Sequence, residues 1–187
     1  MKRIITLALL ACICLAAEAK LTVSSVCSDG MVLQQNENVN IWGWAKKSAK
    51  ITVKVQWLDE EFKTKADADG KWMVTIPTPA GSYEEYTITV SDNKTTINLE
   101  DILIGEVWLC SGQSNMAWKV EQVLDLKEER KNASTLGANV RLYCTGRISA
   151  ETPQDDVVDA AWKKCTPETV AGFSAVGYGF CIELQEA

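Results

Sequence analysis

The expected architecture is mixed: an all-β sandwich over residues 20–99, then an incomplete α/β unit with a parallel sheet over residues 100–187. Short alternating runs of β-branched and aromatic residues recur roughly every ten residues as far as Leu99, the spacing of sandwich strands. Past Glu100 the pattern becomes apolar run, helical stripe, apolar run, helical stripe, and that order implies parallel strands with crossover helices. The chain then stops within helical pattern, at Glu186-Ala187, without the Gly, Asn or Pro that closes a helix, so the α/β part is expected to be unfinished.

Taken in order, Lys2 and Arg3 precede an apolar run from Ile4 to Ala17 and the small-x-small site Ala17-Glu18-Ala19. This is the pattern of an export leader, residues 1–19, cleaved after Ala19, and it places the mature chain in the periplasm or outside the cell. A lipid-anchored leader ending at Cys12 is the alternative. The run is shorter than the roughly 18–20 residues a bilayer demands, so no stable membrane span is expected.

Asn38 to Trp44, Ile51 to Trp57, Trp72 to Ile76 and Tyr86 to Val90 are the clearest strands. Asp69-Gly70, between Phe62-Lys63-Thr64-Lys65-Ala66 and Lys71-Trp72-Met73-Val74, is a hairpin signal, because glycine supplies the positive φ of a tight turn. The same stretch imitates a calcium loop, but Lys65 would fall at the first ligand position and Ile76 at the last, where an acidic ligand belongs. Trp42, Trp44, Trp57 and Trp72 read as sandwich core, with a sugar-stacking platform as the rival.

Ile102 to Cys110 is a nearly continuous apolar run, the signature of a strand buried on both faces. Met116, Val120, Val123, Leu124 and Leu126 then form a helical stripe ending near Gly137. Val140 to Cys144 reads as a second strand and Ser174 to Glu186 as a second helix.

Composition narrows the chemistry. Among 187 residues there are 19 Lys plus Arg against 25 Asp plus Glu, a net charge of −6, with no basic cluster to grip phosphates, so no nucleic-acid partner is expected. Histidine is absent, which excludes, for these residues acting alone, any imidazole base or ligand. Cys27, Cys110, Cys144, Cys165 and Cys181 follow the leader without a C-x-x-C, so neither metal nor cofactor is expected. Cys110 and Cys144 each end an apolar run and read as small buried hydrophobes. Asn93-Lys94-Thr95 and Asn132-Ala133-Ser134 match glycosylation acceptors, a motif too short to weigh much.

The informative segment is Gly105-Glu106-Val107-Trp108-Leu109-Cys110-Ser111-Gly112-Gln113-Ser114-Asn115-Met116. It sets Ser114 at a strand-to-helix turn, where free backbone N–H groups favour developing negative charge. A hydroxyl there can attack a carbonyl while its own N–H binds the oxyanion; alternatively, Ser111 or Ser114 merely caps the helix.

The block from Gly105 to Trp118 resembles the nucleophile region of the sialate O-acetylesterases, GDSL-like (SGNH) carbohydrate esterases in which the Gly-Gln-Ser-Asn quartet carries the catalytic serine. Ser28-Asp29-Gly30-Met31-Val32-Leu33-Gln34-Gln35, Val39 to Ala45, Asp67 to Trp72, Trp162 and Ser174 to Tyr178 extend the resemblance. It implies an SGNH hydrolase-like, flavodoxin-like domain from residue 100. It also implies Ser114 as nucleophile, its N–H as one oxyanion donor, Gln113 and Asn115 at the pocket, and O-acetylated sialic acid or another acetylated sugar as substrate. Ala117 stands where relatives often have an acidic residue. The family's Gly and Asn oxyanion donors and its Asp-x-x-His base segment would lie downstream, in the missing carboxy-terminal part of the same domain. Asp101, Asp125, Asp155, Asp156 and Asp159 are present, but a solvated carboxylate is a weak base for an alcohol. These residues are therefore expected to be the front part of a serine esterase, inactive alone; the alternative is a non-catalytic carbohydrate-binding or structural module.

Overall fold

The computed structural model describes residues 19–123, 125–136, 139–146 and 148–186. All of the leader but Ala19, Cys12 included, lies outside the described residues, as do Leu124 and Gly137. The molecule is mixed and dominated by sheet.

Strand β1 (Thr22–Val23), β3 (Asn38–Trp44) and β6 (Lys71–Pro77) form an antiparallel three-stranded sheet in the order β1-β3-β6. A five-stranded mixed sheet runs β2-β8-β7-β4-β5, with β2 at Val32–Gln34, β4 at Lys50–Val55, β5 at Glu61–Lys65, β7 at Ser82–Ser91 and β8 at Thr96–Gly105. Only β2 and β8 pair in parallel in this sheet. Period-two alternation builds both sheets: Trp72, Val74 and Ile76 of β6 face inward while Lys71, Met73 and Thr75 face out, and Ile51, Val53 and Val55 do the same on β4. These side chains meet Ile41, Ile88, Val90 and Ile102 in one core. Each fully buried Val or Ile there contributes on the order of 2 kcal/mol.

Several expectations are corrected. Asp69-Gly70 does make a turn, with Gly70 at φ 82° and Asp67 Oδ1 accepting from the N–H groups of Asp69 and Lys71, each at 2.9 Å. It is not a hairpin, because β5 pairs with β4 and β6 with β3; the turn carries the chain from one sheet to the other. Trp72 belongs to the core, and the half-buried Trp42 and Trp57 pack against that core; Trp44 is half-buried and outside it, since the alternation of β3 sends Ile41 inward. Trp42 and Trp57 donate their indole N–H groups to Asp155 O at 3.4 Å and Pro77 O at 2.9 Å.

The apolar run at Ile102 is not a strand of a separate parallel sheet. Strand β8 runs unbroken through Leu99 and Glu100 and ends at Gly105, inside the five-stranded sheet. Its neighbour β2 ends at Gln34, and the last rung is Gln35 N–H to Gly105 O at 2.8 Å. With no strand left to pair with, Val107 to Cys110 run exposed. Likewise β9 (Arg141–Tyr143) pairs antiparallel with β10 (Trp162–Lys164), so the expected parallel α/β sheet is not formed among the described residues.

The helical stripe is also broken. A 3-10 turn at Ser114–Ala117 is followed by α1 (Val120–Val123) and α2 (Leu126–Leu136). Asp125 explains the break: its Oδ1 accepts from Lys127 N–H at 3.0 Å, an N-cap contact that starts a new helix. The last helix, α3, occupies Ala175–Glu186, capped by Ser174 Oγ, which accepts from Gly177 N–H at 3.3 Å. Val120, Ala133, Val140, Leu142, Cys165, Val170 and Tyr178 form a second core.

The two cores are tied by polar contacts. Trp162 donates to Val26 O at 2.7 Å and lies 5.0 Å from Tyr143, centroid to centroid. The Asp156 carboxylate accepts from Ser24 Oγ at 2.9 Å, Ser25 N–H at 3.0 Å and Ser25 Oγ at 2.6 Å. No helix among the described residues is long and apolar enough to cross a membrane.

Candidate active site

Two of the resembling sequence blocks are neighbours in space. Gln34 pairs in register with Gly105, and the Gln34 and Gln35 amides donate to the two oxygens of Glu106 at 3.0 and 2.6 Å. Those donated bonds hold the Glu106 carboxyl below its ordinary pKa. Gln34 Oε1 in turn accepts from Val107 N–H at 2.9 Å. The segment leading to Ser114 therefore leaves the sheet from a fixed point. Sequence reasoning missed Glu106 and the paired glutamines as positioning groups, although they sit inside the two resembling blocks; nothing local marks them as partners.

Gly112 has φ 156°, which side-chain-bearing residues rarely adopt, and a Cβ there would stand 3.3 Å from Met116 Cγ. Gln113 follows in extended conformation, and its carbonyl accepts from Met116 N–H at 3.0 Å, closing the 3-10 turn that Ser114 opens. Gln113, Ser114 and Asn115 are adjacent and exposed. Gln113 occupies the cap position without a side-chain hydrogen bond, and neither Ser111 Oγ nor Ser114 Oγ is bonded within the described residues, so the capping alternative does not describe this turn.

Beside the turn lies a shallow apolar cleft of about 260 Å³, walled by Trp108 to Ser111, floored by Met116 and closed by Val176, Gly177 and Phe180 of α3. Ser111 lines it; Ser114, Gln113 and Asn115 do not. Trp108 meets Phe180 edge to face at 5.1 Å. The helix is registered against the turn from its other end, where Ala175 N–H donates to Trp118 O at 2.8 Å and Val120 N–H to Phe173 O at 3.0 Å.

The available carboxylates are spent elsewhere. Asp101 pairs with Arg141 and Lys164, Asp125 caps α2, Asp155 pairs with Lys71 at 2.5 Å, and Asp156 holds the Ser24-Ser25 loop. Asp159 is exposed and, among the described residues, makes no hydrogen bond to Ser114. No group of three or more His, Cys, Asp or Glu that could hold a metal ion occurs among the described residues. The thiols are also redistributed: Cys27 and Cys165 are the buried ones, whereas Cys110 and Cys144 are exposed.

The fold is that of a carbohydrate acetylesterase, as superposition shows. The chain superposes on a carbohydrate acetylesterase from Xanthomonas citri with a TM-score of 0.79 at 30% identity, over 88% of this chain and 37% of that one. It is 33% identical over 158 residues to the sialate O-acetylesterase of Homo sapiens, covering 79% of this chain and 30% of that protein. The Mus musculus sialate O-acetylesterase is 32% identical over 146 residues, covering 73% and 27%. The chain is thus similar to the sialate O-acetylesterase family over most of its own length, and it spans about 30% of the length of the curated relatives it matches. No family model matches it.

Proposed function

We propose that these residues belong to a serine carbohydrate esterase that removes acetyl groups from sialic acid hydroxyls, with Ser114 as nucleophile. The observation that carries this reading is Ser114 itself. It stands in the Gly-Gln-Ser-Asn quartet of a chain related to sialate O-acetylesterases, on an exposed turn, its hydroxyl unbonded within the described residues. In the reaction, Ser114 Oγ attacks the acetyl carbonyl as a base removes its proton, and the Ser114 N–H stabilises the oxyanion. Collapse breaks the bond from the acetyl carbon to the sugar oxygen, which leaves with the proton returned by the base and so becomes the hydroxyl; water then releases acetate from the acetyl-serine by the same steps. Gln113 and Asn115 flank the nucleophile and line its approach.

With no histidine in 187 residues, the base comes from outside them, and the chain alone is inactive. On this reading the residues from 20 to the end of β8 at Gly105 are the family's β domain and those beyond it the opening of its SGNH hydrolase-like domain, with the leader directing export. Chemical rescue tests the proposal: acetate release from O-acetylated sialic acid is measured with and without added imidazole, on this chain and its Ser114→Ala variant. Imidazole-dependent release confined to the wild type supports it; equal rates for the two remove it.

A further inference from the structure

Cys110 lines the cleft and Cys181 follows on helix α3, which closes it; the esterase chemistry uses neither. Cys110 is exposed and free, and its Sγ lies 3.6 Å from where a Cβ on Gly177 of α3 would stand. Cys181 is one helical turn further along the same face of α3, half-buried and also free. Side chains on a helix lean toward its N-terminus, so the Cys181 thiol tilts back toward the turn against which Cys110 packs. The Trp108 and Phe180 rings, 5.1 Å apart, pin the neighbouring residues of both segments together.

We propose that Cys110 and Cys181 are a dithiol site that closes to an intramolecular disulfide, joining the segment before Ser114 to helix α3. The co-reactant is a small-molecule disulfide such as glutathione disulfide. The Cys110 thiolate attacks one of its sulfurs, releasing one thiol and leaving a mixed disulfide. Deprotonated Cys181 then attacks Cys110 Sγ and releases the second thiol, so two protein thiols are oxidised and one disulfide is reduced. Access sets this order, because of the two Cys110 is exposed and Cys181 half-buried. Burial, then the nearby Cys110 thiol, push the Cys181 thiol up, which makes it the resolving partner and speeds closure at alkaline pH. Cys165 is also near Cys181, but it is buried in the second core, and burial pushes its thiol up to about 11.

The site is independent of the proposed hydrolysis, and its test reads thiols, not acetate. The native chain is incubated with glutathione disulfide, free thiols are blocked, and the protease digest is mapped by mass spectrometry. The expected product is a peptide pair linked through Cys110 and Cys181, lighter by two hydrogen atoms than its separate members; in the chain before oxidation, Cys165 is alkylated at least about 10-fold more slowly than Cys110. In Cys110→Ser the link is lost, and in Cys181→Ser Cys110 stops at the glutathione mixed disulfide. The wild-type map stands by itself if a variant fails to fold. A Cys165–Cys181 link, a link between two chains through Cys110, or no link at all overturns the proposal.

Discussion

The guanidinium of Arg141, only 1% exposed, donates to the Asp101 carboxylate at 2.8 Å across forty positions of sequence. Asp101 sits in strand β8 with φ 58°, and Lys164 of β10 reaches its other oxygen at 3.1 Å. One carboxylate thus fastens the β9–β10 pair to the five-stranded sheet, and a buried cation makes the fastening costly to undo.

Asp101→Asn keeps a residue that tolerates positive φ but removes the charge. Its urea midpoint is expected to fall by the equivalent of about 2 kcal/mol, below the range for a fully buried pair because Asp101 is partly exposed. Asp101→Ala adds backbone strain of about 1 kcal/mol. Equal midpoints for wild type and Asp101→Asn would mean the pair holds nothing.

Acid should loosen the same attachment. Burial opposes ionisation of Asp101, but Lys164 and Arg141 outweigh it; burial likewise opposes Asp156, and the bonds from Ser25, Val157 and Ser24 outweigh it. Both carboxyls therefore titrate below their ordinary range when folded. Their stabilisation is complete above the unfolded carboxylate pKa of about 4 and is lost as pH falls through the lower folded values. Urea midpoints taken down the acid limb should drop for the wild type and less steeply for Asp101→Asn/Asp156→Asn.

At the turn between the two sheets, a Cβ on Gly70 would stand 2.6 Å from Ala45 O at φ 82°. Gly70→Ala should cost at least about 1 kcal/mol in thermal or urea unfolding. A neutral result would show that the corner has room to move.

Ser114→Ala should leave the unfolding midpoint within about 0.5 kcal/mol of wild type, since the side chain is exposed and unbonded within the described residues. The same variant should abolish imidazole-dependent acetate release. A loss of about 1 kcal/mol would instead be the mark of a helix cap.

Glu106→Gln replaces two acceptor oxygens with one and sets an amide N–H₂ against the amide donors of Gln34 and Gln35. In the rescued reaction its rate should fall several-fold while the unfolding midpoint stays, because Glu106 is exposed and acts by fixing the exit of the Ser114 segment. An unchanged rate would show that Ser114 needs no such anchor.

Much of the first half was readable because its signals are local. Ile51-Thr52-Val53 and Trp72-Met73-Val74 each announce an inner and an outer face, and Asp69-Gly70 announces a turn. The second half was read less well for a reason of the same kind: Ile102 to Cys110 is apolar throughout, so its pattern cannot say where the neighbouring strand stops. Asp125 carried a readable cap signal, overlooked because the apolar stripe around it looked continuous.

Residue order alone settled the faces of β4 and β6, the turn at Asp69-Gly70, the absence of imidazole and the quartet around Ser114, since each depends on neighbours along the chain. Folding decided which sheet each strand joined, that β8 runs on past Leu99, and that Asp101 meets Arg141, Glu106 meets Gln34 and Gln35, and Cys110 packs against Gly177 of α3. Those pairings close loops of dozens of residues. Their free energy comes from groups that become neighbours only after the chain has packed, and no local periodicity records it.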